Sequence, residues 1–278
     1  MTGCTTSRKT AIIVSSITDE SFMTLLFCGI FLLLLISSDV RAFKTPVVLQ
    51  ASSRSSYSTL HATELTLYGS QQTRSPLINW FLIEKRIPFI QKNPRPSPHP
   101  FGQVPCLTDE GGIEVFESGA ILLYLADLYG GSLSTTTSSN AGDRAKYSKW
   151  IVWSNAELDG LCFGKGMSGT QLDKPSKALD TLEGILESTE YIVDNTFSVA
   201  DVAIASYLNY VPIFFRNVSP IKRPNICRYM LRCAERPAYA DAFGQDHAQL
   251  VITQTKSWLD ASNSNGGKGT PNKLFGVF

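Results

Sequence analysis

Apolar positions Leu77, Ile78, Phe81 and Leu82 recur at helical spacing in SPLINWFLIEK (75–85), with Trp80 and Ile83 widening the stripe. The pattern predicts an amphipathic helix there. Ser75 and Pro76 suit its start, a serine as a cap and a proline in the first turn. Short β-prone runs flank it, Leu65–Tyr68 (stopped by Gly69) and Ile87–Ile90. A strand–helix–strand unit of this size implies a parallel pair with a right-handed crossover. NPRPSPHPFGQ (93–103) holds four prolines and is excluded as helix or central strand. Cys106–Thr108 and Ile113–Phe116 flank DEGG (109–112), which reads as a hairpin. A further helix is predicted from Ser118 to Leu128, ended by Gly130.

Beyond residue 131 the pattern changes. GSLSTTTSSNAG (131–142) has no apolar period and reads as a linker. Helical periods then run through 144–159, 176–193 and 198–211, with shorter ones at 225–235 and 238–243. No strand signal of comparable quality follows. The expected body is therefore a small α/β domain (63–130), a linker (131–142) and an all-helical domain (143–250). Residues 251–278 are expected to be a largely disordered tail, because the run from 259 (LDASNSNGGKGTPNK) is polar and rich in Gly, Ser and Asn. Ser198 and Asp201 in FSVAD stand three apart before an apolar run, a capping-box spacing with a structural role.

Composition narrows the function classes. The 278 residues carry a formal net charge of +1, so nothing electrostatic argues for a nucleic-acid partner. The six cysteines are scattered, without CxxC or zinc-type spacing, and the three histidines lie far apart; no metal is expected. The amino terminus differs from the rest. Residues 22–36 are an unbroken apolar run behind Arg8 and Lys9, and Val40-Arg41-Ala42 supplies a cleavage pattern; residues 1–42 read as a signal peptide. A retained membrane anchor is the competing reading. Residues 43–62 contain Lys44, Arg54, five serines and no acid, the composition of a transit segment. Together they resemble the bipartite presequences of algae with complex plastids, with simple secretion as the alternative location. No membrane association is expected after presequence removal.

The order of the body's blocks is specific. LYGSQQTRSPLINWFLIEKRIPF, FGQVPCLTDEGGIEVFESGAILLYLADLYG, WIVWSNAELD, FSVADVAIASYL and RPAYADAF resemble the glutathione transferase family over about residues 64–245. The second block, with Val-Pro, strand, hairpin, Glu-Ser and helix in succession, is the most distinctive. The resemblance implies a thioredoxin-like N-terminal domain followed by an all-α C-terminal domain.

It also implies roles. Val104-Pro105 would be a cis peptide bond leaving the backbone of Val104 to pair with the cysteinyl residue of glutathione. Glu117 and Ser118 would hold the γ-glutamyl head. A hydroxyl donor aimed at sulfur favours thiolate over thiol; Thr73 stands first for that part, Ser75 second and Tyr68 third. No cysteine lies in this stretch, which disfavours the Cys-bearing classes. Arg74 could bias the thiolate by charge or simply be solvated. The segment between the second strand and Val-Pro is shorter than in most members. Glycyl-end contacts are therefore missing, or rebuilt by Lys92, Arg95, His99 or Gln103.

The second substrate, a small hydrophobic electrophile, is expected against the first long helix of the helical half, where Trp153, Asn155 and Glu157 stand beside Trp150, with Phe163 and Met167 near the rim. The implied activity is conjugation of the glutathione thiolate to that electrophile in detoxification, by a homodimer. The alternatives are a non-catalytic binding module that kept the fold, or a glutathione-dependent peroxidase or dehalogenase using the same site.

Overall fold

The computed structural model describes residues 64–130 and 141–266. The expected signal and transit segments, the linker from 131 to 140 and the last twelve positions lie outside the described residues.

A four-stranded sheet of order β2-β1-β3-β4 opens the body. Strand β1 (Leu65–Tyr68) pairs in parallel with β2 (Phe89–Lys92) and antiparallel with β3 (Cys106–Thr108), which pairs antiparallel with β4 (Glu114–Phe116). Leu65, Thr66 and Leu67 are all buried, so both faces of the central strand are covered, as a parallel pair requires. Strand β2 begins two residues later than the pattern predicts. Pro88 has no N–H to donate, so the ladder starts at Phe89. Between β1 and β2 runs α1 (Ser75–Glu84), and α2 (Ser118–Tyr129) follows β4.

The helical half comprises α3 (Ala141–Trp153), a π-helical turn (Ser154–Leu158), α4 (Asp159–Phe163), a short 3-10 turn (Lys165–Met167), α5 (Lys177–Ser188), α6 (Val199–Phe214), α7 (Pro224–Ala234), α8 (Pro237–Phe243) and α9 (Gln245–Gly266). Helix α6 is its axis, with every residue from Val199 to Pro212 buried. An α-helix that is apolar all round belongs inside a core. Its start is held by Asp201, whose carboxylate accepts the Ser198 N–H (2.9 Å), the Ser198 hydroxyl (3.0 Å), the Ile192 N–H (3.0 Å) and the Tyr229 hydroxyl (3.1 Å). The Ser198–Asp201 pair thus also ties α6 to α7.

Two boundaries need correction. Helix α3 begins at Ala141, inside the stretch read as linker. The expected disordered tail is α9 as far as Gly266, with Ala248, Val251, Thr255 and Trp258 buried on one face. Those positions repeat at spacings of three and four. The polar run after 259 masked a period that had already begun at Ala248.

The halves share one core through α1. The Trp80 ring meets Tyr239 of α8 edge-on at 4.9 Å and Phe197 at 5.4 Å. Arg236 pairs with Glu84 of α1 while its guanidinium lies 3.8 Å from the Phe197 ring centroid. This clamp fixes the C-terminal half of α1 against α8 and the segment that leads into α6.

Candidate functional site

A cavity of about 290 Å³ is lined by Arg74, His99, Gln103, Val104, Pro105, Glu117 and Ser118. Val104, Pro105, Glu117 and Ser118 were the expected binding residues and come from one continuous block; Arg74, His99 and Gln103 stood as open alternatives. The Val104–Pro105 bond is cis, and both residues form the wall between the proline-rich loop and β3.

Glu117 and Ser118 stand where β4 gives way to α2. Glu117 has φ 66° and ψ 121°, a left-handed backbone that costs a non-glycine residue on the order of 1–3 kcal/mol. The start of α2 carries no side-chain cap. Ser118 is buried and faces the cavity instead. The unsatisfied N–H groups of a first helical turn, with the positive end of the helix dipole, suit a carboxylate.

The proline-rich loop supplies the opposite wall. Ser97 donates to the Gln103 carbonyl (3.1 Å) and accepts the His99 N–H (3.2 Å). His99 is 5% exposed and packs against the Phe116 ring at 4.5 Å. Its Nδ1 accepts the Phe101 N–H at 3.0 Å, so the neutral ring carries its proton on Nε2. The loop therefore brings one imidazole and one amide to the cavity from a segment that is not a helix. Of the four loop residues considered for this wall, His99 and Gln103 line the cavity; Lys92 and Arg95 are not among its lining residues.

The third wall is Arg74, the residue just before α1. Its guanidinium is ion-paired to Asp159, donates to the Tyr207 hydroxyl at 3.1 Å and lies 5.1 Å from the Tyr207 ring centroid. Burial opposes its charge, but Tyr207 and Asp159 outweigh that and hold its pKa above the ordinary value.

Thr73 and Ser75, expected as thiol-activating hydroxyls, do not line the cavity. Thr73 Oγ1 donates to the Ser70 carbonyl at 2.8 Å and accepts the Ser75 N–H at 3.1 Å. That bond uses the Thr73 proton, so Ser75 donates in the 2.7 Å contact between the two hydroxyls. Both protons serve the turn. Ser75 is fully buried, and a Cβ on Gly69 would stand 1.6 Å from its Oγ. Only glycine at 69 admits that packing. Ser75 also does not cap α1. Tyr68 remains a β1 residue, its ring 5.5 Å from Lys92 Nζ.

The residues expected around a second substrate are dispersed. Trp153 meets Trp150 edge-on at 5.8 Å, and Glu157 is exposed. Asn155 turns toward the N-terminal domain, its Nδ2 lying 2.7 Å from where a Cβ on Gly119 would stand, while its Oδ1 accepts the hydroxyl of Tyr207 in α6 at 3.0 Å. Sequence reasoning missed Tyr207 and Asp159. Nothing local marks them, since their contacts with Arg74 span 133 and 85 positions.

The glutathione S-transferase N-terminal domain family matches residues 64–127, and the matching C-terminal domain family covers residues 165–237. Glutathione S-transferase GstB of Escherichia coli is 30% identical over 155 residues, which are 50% of this chain and 73% of that protein. A glutathione S-transferase domain-containing protein of Dictyostelium discoideum is 31% identical over 159 residues, 50% of this chain and 60% of its own length. Among solved structures, a glutathione transferase of Methylococcus capsulatus superposes with a TM-score of 0.55 at 24% identity, over 66% of this chain and 99% of that one. The glutathione transferase URE2P8 of Phanerochaete chrysosporium, solved with oxidized glutathione, gives a TM-score of 0.55 at 17% identity over 70% and 99%. At these identities the structural likeness concerns the fold.

Proposed function

The chain belongs to the glutathione S-transferase family, and we propose that it binds glutathione in the cavity of Arg74, His99, Val104 and Ser118 and transfers its thiolate to a small hydrophobic electrophile. The observation that carries this reading is the chemistry of the walls. A zwitterionic amino-acid head matches Ser118 at the start of α2 beside the Glu117 carboxylate. The backbone of Val104 takes the cysteinyl residue. The glycyl carboxylate meets the His99 Nε2–H and the Gln103 amide, which replace the helix that is missing from the shortened loop.

The thiol would then lie toward the start of α1. No cysteine stands there, and the Thr73 and Ser75 protons serve the turn. The nearby group that favours a thiolate is Arg74, a fixed positive charge. In this reading Thr73 and Ser75 act by building the turn that presents Arg74. The thiolate forms the new C–S bond, the leaving group departs with its electron pair, and the protein contributes proximity and charge stabilisation.

The commitment of both hydroxyl protons favours one second reading, a non-catalytic glutathione-binding module. Titration calorimetry with glutathione, followed by turnover with a 2,4-dinitrophenyl halide, separates the readings. Binding with turnover supports the transferase, binding without turnover supports the module, and no binding at millimolar glutathione refutes both. A peroxide substrate in the same assay covers the reductive alternative.

We also propose a homodimer and plastid delivery by residues 1–62, with the secretory pathway as the alternative. Light scattering on residues 63–278 tests the first, and a fluorescent fusion to residues 1–62 tests the second.

A further inference from the structure

The polar contacts around Arg74 continue beyond it. Asp159 of α4 holds Nη2 of Arg74, and the Tyr207 hydroxyl of α6 accepts from Nη1. The same hydroxyl has one proton, and it goes to Asn155 Oδ1 at 3.0 Å. Asn155 Nδ2 faces the backbone of Gly119 in the first turn of α2, next to Ser118. The Tyr207 hydroxyl also interacts with the Ser118 side chain. The chain Asp159–Arg74–Tyr207–Asn155 thus joins two cavity walls that come from segments 44 positions apart, Arg74 and Ser118. None of Asp159, Tyr207 and Asn155 lines the cavity.

Two further features fit a built arrangement. Asn155 lies in the π-helical turn Ser154–Leu158, whose closing N–H, that of Asp159, donates to the Ser154 carbonyl; such wide turns inside helices recur at functional sites. Position 119 is glycine although α2 is regular there, and any side chain would collide with Asn155.

We propose that Tyr207 and Asn155 are positioning residues: through them the helical half fixes Arg74 and the N-terminus of α2 relative to each other, and so sets where a bound thiol sits. The proposal rests on the glutathione reading above and adds that neither residue touches the ligand. A misplaced thiolate loses contact with Arg74 while the amino-acid head stays gripped. The loss falls on the ionisation of the thiol and on kcat, with little change in glutathione affinity.

The test uses Tyr207→Phe, which keeps the ring under Arg74, with Asn155→Ala and Gly119→Ala as independent perturbations. Glutathione affinity is measured by calorimetry. The pKa of the bound thiol is read from thiolate absorbance near 240 nm across pH. Each variant is expected to bind glutathione within about threefold of wild type, while kcat at pH 6.5 falls roughly 5- to 20-fold. The bound-thiol titration moves to higher pH in parallel. A structural role alone would lower Tm and leave the titration in place, and that result overturns the proposal. Should Tyr207→Phe fail to fold, the partly exposed Asn155 carries the same readout. Wild-type protein that binds no glutathione refutes the glutathione reading and the proposal with it. Wild-type binding with an unshifted thiol in all three variants refutes the proposal alone.

Discussion

The two ends of the cavity are built in opposite ways. The end proposed to take the amino-acid head comes from one continuous stretch, Gln103 to Ser118. A cis proline, a hairpin and a helix start follow each other there, and the geometry is local. The end proposed to face the sulfur is a single side chain, Arg74, held by residues 85 and 133 positions away. Loss of a local grip should cost affinity. Loss of a long-range one should cost catalysis and leave affinity nearly intact.

The largest expected effect is at the sulfur end. Arg74→Met removes the preorganised cation, and kcat should fall about 100-fold with glutathione affinity within about threefold. Thr73→Val in the same assay sharpens the point. If it lowers kcat as much as Arg74→Met while the fold is intact, thiol activation belongs to the hydroxyl after all. Next comes Ser118→Ala. Removing a hydrogen bond to a carboxylate costs about 2 kcal/mol, or about 30-fold in Kd, with kcat at saturating glutathione nearly unchanged. Calorimetry and steady-state kinetics together read both variants; the reverse assignment of Kd and kcat losses breaks the comparison.

A third prediction concerns the support behind the Arg74 turn. Tyr210 donates to the Thr73 carbonyl at 3.0 Å, and His247 lies beside Tyr210 and within 2.9 Å of the Tyr239 hydroxyl. Burial lowers the His247 pKa to about 4, below the unfolded value near 6.5. The unfolded chain therefore binds more protons between these values. Stability should be complete above pH 6.5 and fall by on the order of 3 kcal/mol as pH drops toward 4. Asp201 works the other way. Burial raises it to about 6 against its four donors, so its contribution weakens as pH rises from about 4 to 6. Denaturant midpoints of wild type and His247→Gln across pH 4–7 isolate the histidine. The variant's stability should be flatter on the acid side, and identical slopes would remove His247 from the account.

The smallest effect is at the local end. Glu117→Gly relieves the left-handed backbone, whereas Glu117→Ala keeps it, and the glycine variant should be more stable by about 1 kcal/mol. Both should bind glutathione more weakly than wild type if the carboxylate meets the α-amine. A glycine variant no more stable than the alanine one shows that the backbone at 117 is not strained.

What was legible in the sequence follows the same division. Helices α1, α2 and α6 are apolar runs of helical length, and turn chemistry marked the hairpin. Their order, with Val-Pro and Glu-Ser in place, pointed to the fold. Boundaries slipped where a neighbour changed the rule, at Pro88 before β2 and in the polar end of α9. In the cavity wall, Val104, Pro105, Glu117 and Ser118 could be named because they belong to one local block. Thr73 and Ser75 were chosen by residue type alone. Where a hydroxyl points depends on the turn around it, and here Thr73 Oγ1 donates to the Ser70 carbonyl while Ser75 Oγ packs over Gly69. Asn155 was placed near a second substrate because it sits on the right helix, yet the π-helical turn aims it at α2.

By itself the sequence determined the succession of elements, the split into an α/β and a helical half, and the local block from Gln103 to Ser118 that walls the cavity. Those follow from periodicity and turn chemistry, which act over a few residues. Only the tertiary structure decided that Arg74 rather than Thr73 or Ser75 lines the cavity, that His99 and Gln103 close its loop side, and that Tyr207 and Asn155 bond behind it. Hydrogen bonds between residues 50 to 140 positions apart exist only once the core around Trp80 and α6 has brought the two halves into register.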